Sequence, residues 1–172
     1  MYIPFEQLSD QAHIWIYQAN RLLTLEEQEA ILQASKAFVA TWSSHERSLQ
    51  GSAVVLHQRF LILALEKSAH QLSCCTMDSA INLLRKLKDT LHIDLLDRTQ
   101  LVLSHQGNTW MVPIAQAKEQ LQQRAIAPDT YVFDNTITHK AALDHKWLIP
   151  IQDSWLGRHI SIASPTSTPT LP

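Results

Sequence analysis

Between Ala53 and Glu66 the chain reads Ala-Val-Val-Leu-His-Gln-Arg-Phe-Leu-Ile-Leu-Ala-Leu-Glu, whose β-branched and apolar residues suit a strand from end to end. As one strand it would run about 45 Å at roughly 3.3 Å per residue, too long for a domain of this size. The chain must fold back inside the run, and His57-Gln58-Arg59 is the place for it. The expectation is a hairpin, 52–57 against 60–66. Those three residues make a poor tight turn, so a strong bend or bulge at the same place is the alternative.

Helices are signalled on either side. Thr24-Leu25-Glu26-Glu27 has the form of a capping box, and Leu25, Ile31, Leu32, Phe38, Val39 and Trp42 follow at three- and four-residue spacing. That apolar face must pack on something flat. A second amphipathic helix carries Met77, Ala80, Ile81, Leu84, Leu87 and Leu91, with Arg85, Lys86 and Lys88 on its solvent side. With residues 13–17 as a first strand, the order becomes strand, helix, strand, strand, helix. Residues 101–104 then close a split βαβ, pair with 109–113 across His105-Gln106-Gly107-Asn108, or do both. A modest helix over 114–124, a Pro128-Asp129 turn and a strand at 131–133 follow, and 147–151 reads as an edge strand or extended arm around Pro150. The expected fold is α+β: an antiparallel sheet with two main helices on one face in ferredoxin-like order, plus a smaller C-terminal β-α-β portion. The corresponding division is a core over 1–104, an extension over 105–160 packed on it, and a Ser/Thr/Pro-rich tail over 161–172.

Composition limits the function. In 172 residues, 45% are hydrophobic and 17% charged, with a formal net charge of -2, so neither disorder nor polyanion binding is indicated and no nucleic-acid partner is expected. No membrane-crossing or targeting segment is visible. The two cysteines, Cys74 and Cys75, are adjacent and cannot form a disulfide framework, so a soluble protein of the reducing cytoplasm is expected. The three glycines, Gly51, Gly107 and Gly157, form neither a P-loop nor a dinucleotide-binding fingerprint. Main-chain cradling of a phosphate needs closely spaced glycines, so Walker-type nucleotide hydrolysis is unsupported and no cofactor is expected.

Tyr2-Ile3-Pro4-Phe5, Trp15-Ile16-Tyr17-Gln18, Ser73-x-Cys75-x-x-Asp78, Asp94-Leu95-Leu96-Asp97-Arg98, the run from Pro128 to Asn135 and Ser154-Trp155 together resemble a small bacterial family of uncharacterised proteins. Its members often carry the label "ABC transporter ATPase", which the missing Walker motif contradicts in this chain. The resemblance spans about residues 1–158. It selects Cys75 as the family's cysteine and leaves Cys74 where glycine is usual, and it puts Leu156 where the family's ending has a histidine. It implies no activity. Residues 108–155 also look like the GYF-type peptide-binding modules in the order of hairpin, helix, Pro-Asp-Thr turn, strand and late tryptophan, without the Gly-Tyr-Phe signature itself.

Cys75 is the best chemical candidate. A helix start, with Ser73 or Thr76 at the cap, favours the thiolate, and Asp78 could orient a substrate, although its negative charge would raise the thiol pKa. His45 and His57 are candidate bases that the sequence cannot place beside it. The competing reading is a buried cysteine at a helix start. The tryptophans admit an aromatic ligand cleft if Trp147 and Trp155 converge with Arg158, against ordinary core packing. Asp94 and Asp97, beside Arg98, read as a solvated structural network rather than a catalytic carboxylate pair. His139, His145 and His159 lack the paired spacing of a zinc site, so no metal is expected. A binding or interaction protein with an unknown protein or small-molecule partner is the leading reading, and a thiol-dependent enzyme or redox-responsive protein using Cys75 is the alternative. The sequence does not fix the oligomeric state.

Overall fold

A computed structural model describes residues 1–44, 47–48, 50–66 and 74–157, with the backbone alone at 43–44, 47–48 and 74–76. In chain order its elements are β1 (His13–Gln18), α1 (Leu25–Thr41), β2 (Ser43–Ser44), β3 (Arg47–Ser48), β4 (Gly51–Leu56), β5 (Phe60–Leu65), α2 (Cys74–Leu91), β6 (Gln100–His105), β7 (Asn108–Pro113), α3 (Ile114–Gln122), β8 (Tyr131–Phe133) and β9 (Leu148–Pro150). The protein is α+β, with antiparallel sheets of three and four strands and a short β2–β3 ribbon. It divides into two compact units. The first is Met1–Arg98 with Asp134–Trp147, and the second is Thr99–Phe133 with the chain from Leu148 onward.

In the first unit the long apolar run does fold back. β4 pairs with β5 from Gly51↔Leu65 to Leu56↔Phe60, and β1 pairs with the other edge of β5 from His13↔Leu65 to Gln18↔Phe60. β5 is therefore central, and every residue from Phe60 to Leu65 is buried, which explains why the run does not alternate. The poor turn residues are accommodated by left-handed backbone: His57 has φ 51° and Gln58 φ 52°, and Arg59 N–H donates to Leu56 O at 3.1 Å. Two positive-φ residues match the twist of a hairpin, though without glycine they carry a steric cost. The segment after β1 holds them, since Ala19 N–H donates to Arg59 O and Leu23 N–H to Gln58 O, each at 2.8 Å.

Thr24 closes the expected capping box, accepting from Glu27 N–H at 3.2 Å while Glu27 Oε2 accepts from Thr24 N–H at 2.9 Å. Ile31, Val39 and Trp42 of the expected face are buried, but Leu25 is 80% exposed. The buried stripe is Ile31, Ser35 and Val39 at four-residue spacing; at about 100° per residue, Leu25 falls off its line. In α2 the buried residues are Ala80, Leu83, Leu84 and Leu87. Both helices join Tyr17, Ala53, Leu61, Leu63 and Leu65 in one core cluster, so they cover the same sheet face.

Among the described residues the sheet of the first unit has three strands. A ferredoxin-like order would place a closing strand against the outer edge of β1, and that edge is already taken: Ile14 N–H donates to Thr138 O at 2.9 Å and Lys140 N–H to Ala12 O at 3.0 Å. β6 instead pairs with β7 and β8 in the second unit, giving the order β7-β6-β8-β9. The four-residue turn is as expected, with Gln106 and Gly107 at φ 49° and 82°. Leu103, Val112 and Val132 face Ala117 and Leu121 of α3, with Ile126, Ile151 and Leu156 completing that core. β9 is an edge strand, as the sequence suggested. Ile151 N–H donates to Thr130 O at 2.8 Å and Asp134 N–H to Trp147 O at 2.6 Å, so alternation turns the amide position of Pro150 outward, where its missing N–H blunts the edge. Among the described residues no helix is long and apolar enough to cross a membrane.

Candidate functional site

The helix expected after the cysteine pair begins at Cys74, which puts Cys75 in the first turn of α2 and the exposed Asp78 about one turn further on. The side chain of Cys75, together with Ser73, His45 and Arg158, lies outside the described residues. His57 is described, and it stands on the β4–β5 turn with its ring against those of Phe60 and Trp147.

Trp147 is only 4% exposed. Its ring meets Phe60 edge-on at 5.0 Å and His57 at 5.2 Å, while its Nε1–H donates to Asn135 Oδ1 at 3.0 Å. Asn135 Nδ2 then donates to the buried Gln18 Oε1 at 3.1 Å. This relay brings an indole and two amides onto the sheet face opposite the helices without stranding the indole N–H. Partial burial pushes the His57 imidazole below its usual pKa, and burial also lowers that of the Arg59 guanidinium. Trp147 thus serves packing within the first unit, and Trp155 belongs to the second.

Trp155 is 42% exposed, and Lys118 Nζ of α3 sits 5.7 Å from its ring centroid, a cation–π distance. Its turn is fixed from within: Ser154 Oγ–H donates to Ile151 O at 2.6 Å and accepts from Leu156 N–H at 3.1 Å, while Leu156 plugs the core. On β8 and β9, Tyr131 is 44% and Leu148 41% exposed. Tyr131 pairs with Pro150 and Phe133 with Leu148, so Tyr131 and Leu148 project from the same face as diagonal neighbours.

An open cleft of about 460 Å³ lies at the C-terminal end of α2, lined by Asn20, Lys88, Asp89, His92 and Asp94. Its groups are largely tied to one another. Asp94 receives Lys88 Nζ at 2.5 Å on Oδ2 and Leu96 N–H at 2.8 Å on Oδ1, while Asn20 Oδ1 accepts from Asp94 N–H at 3.2 Å. The Lys88 bond holds the Asp94 carboxyl below its usual pKa, and the Asp94 bond raises that of Lys88. The network ends α2 and fastens the next loop to the exit of β1. It agrees with a structural role for Asp94, with Lys88 rather than the adjacent Arg98 as the ion-pair partner. The pairing is not legible in the sequence, because Lys88 lies on the solvent side of its helix and an i, i+6 reach past a helix end is not a regular spacing.

Among the described residues no group of three or more His, Cys, Asp or Glu is placed to hold a metal ion. Comparison of the chain with protein-family models, with curated proteins and with solved structures returned no match. The protein is thus an α+β protein of two antiparallel units, with an aromatic-capped polar relay in one and an apolar edge ribbon in the other.

Proposed function

We propose that this is a non-catalytic, cytoplasmic binding or interaction protein that takes a protein partner on the β8–β9 ribbon of its second unit. One observation carries the reading: Tyr131 and Leu148, each more than two-fifths exposed, stand together on one face of an edge ribbon. Tyrosine beside an aliphatic residue supplies contact area with little ordering cost, and tyrosine is enriched in protein contact surfaces relative to the rest of the surface. The net charge of -2 gives no pull toward nucleic acid. The test is a photoreactive phenylalanine analogue at position 131 in cells, with the same analogue at the exposed Asp78 as control. A discrete adduct specific to position 131 that disappears with Leu148→Ser supports the reading; identical adduct patterns at 131 and 78 sink it.

A rival, a thiol-dependent or redox-responsive protein, is favoured by the place of Cys75 in the first turn of α2, where helix-end N–H groups favour a thiolate. Iodoacetamide alkylation followed against pH separates the two. An apparent pKa well below the ordinary thiol value of about 8.5 supports the rival, and an ordinary value ends it.

A further inference from the structure

The outer edge of β1 brings two imidazoles together from distant parts of the first unit. His13 and His139 are opposite each other in an antiparallel bridge. The hydrogen bonds Ile14 N–H to Thr138 O and Lys140 N–H to Ala12 O flank the pair rather than join it. The two residues therefore form the narrow, non-hydrogen-bonded kind of pair, whose side chains leave the same face at their closest approach. Their rings lie 5.9 Å apart between centroids at 73°, and both residues are partly exposed. Two imidazole nitrogens on one ion at about 2.0–2.1 Å place the ring centroids roughly 5–6 Å apart for tetrahedral and wider angles. The observed separation falls in that range. His139 Nδ1 is 3.0 Å from Thr138 Oγ1, and when Nδ1–H donates to the hydroxyl, Nε2 is left with the lone pair a metal needs.

We propose that His13 and His139 form a cross-strand, two-imidazole site for a borderline transition-metal ion such as Cu(II) or Zn(II). Imidazole selects such ions over Mg(II) and Ca(II), and the Irving–Williams order places Cu(II) ahead of Zn(II). The strap Thr138–Lys140 is what brings the second ligand to β1, so a bound ion would also pin that strap to the sheet.

A built-in reporter makes the test direct, because the Trp15 ring is 4.5 Å from the His13 ring. The full chain is titrated with Cu(II) alone in a non-coordinating buffer, following tryptophan fluorescence, and with Zn(II) and Mg(II) by calorimetry. The expected result is saturable quenching at one equivalent of Cu(II), weaker binding of Zn(II), and none of Mg(II). His13→Gln and His139→Gln should each lower Cu(II) affinity at least tenfold, with the fold checked by circular dichroism. Trp15→Phe should remove most of the saturable quenching while leaving calorimetric Cu(II) binding in place. Thr138→Val, which keeps both ligands, should weaken binding several-fold through the lost imidazole orientation. Unchanged affinity in either folded histidine variant overturns the proposal. Should a histidine variant fail to fold, unchanged affinity in Thr138→Val together with unchanged quenching in Trp15→Phe overturns it instead.

Discussion

Glu27 joins two interactions that are usually separate. Its carboxylate closes the capping box on Thr24 and also receives both terminal nitrogens of Arg21, each at 2.7 Å. The Arg21 bond, seconded by the Thr24 N–H, lowers its pKa to about 2. A carboxyl ordinarily near 4.3 that falls to about 2 on folding binds fewer protons folded than unfolded, so it contributes stability above about pH 4.3 and loses it as the pH drops through 2. The stability gap between the wild type and Glu27→Gln in urea titrations should therefore be constant from pH 7 to 5, narrow below about pH 4.3 and be lost only as the pH falls below about 2; a gap independent of pH would rule this out. Ser35 makes the opposite case. It is fully buried in the middle of α1, and its hydroxyl has no hydrogen-bond partner among the described residues. Ser35→Ala removes an unsatisfied group and improves helix propensity, so it should stabilise by about 1 kcal/mol. A destabilised variant would mean the hydroxyl has a partner after all.

At the scale of elements, the β4–β5 hairpin pays for its register at its turn. Gln58 holds φ 52° with an L side chain, a conformation glycine adopts without that penalty. Gln58→Gly should raise the urea midpoint, by about 0.5–1 kcal/mol of stability with the denaturant slope unchanged, after subtracting the flexibility glycine adds to the unfolded chain. The other end of the hairpin is intolerant. A Cβ on Gly51 would stand 2.6 Å from Ala64 O and 2.9 Å from Leu65 Cδ2, between β5 and α1 and beside the bridge to Tyr2. Because the nearer atom is backbone, the strand itself must shift, and Gly51→Ala should cost about 1–3 kcal/mol in the same titrations. Neither end of the hairpin could be ranked from sequence. The fold-back was legible because the apolar run exceeds what one strand can span, whereas the turn geometry depends on carbonyls accepting from Ala19 and Leu23, far upstream.

Legibility at the level of the whole molecule follows the same division between local and distant causes. The capping box, both long helices and the edge character of the strand around Pro150 follow from short-range patterns, and all are present. The placement of β6 was not legible, because its exclusion from the first sheet depends on Thr138–Lys140 occupying the edge of β1 from more than a hundred residues away. Trp147 reads as a possible ligand wall until Asn135 and Gln18 are seen to satisfy its N–H. The first unit is thus discontinuous: without residues 134–147 it would lose the cover on β1, the amide relay and the ring packed on Phe60. An uncovered strand edge and an exposed Phe60 invite association. A fragment of residues 1–98 should accordingly melt well below the full chain, if it folds at all, and elute as dimers or larger species in size-exclusion chromatography. If it elutes as a monomer with the melting temperature of the full chain, the strap contributes nothing to the sheet it covers.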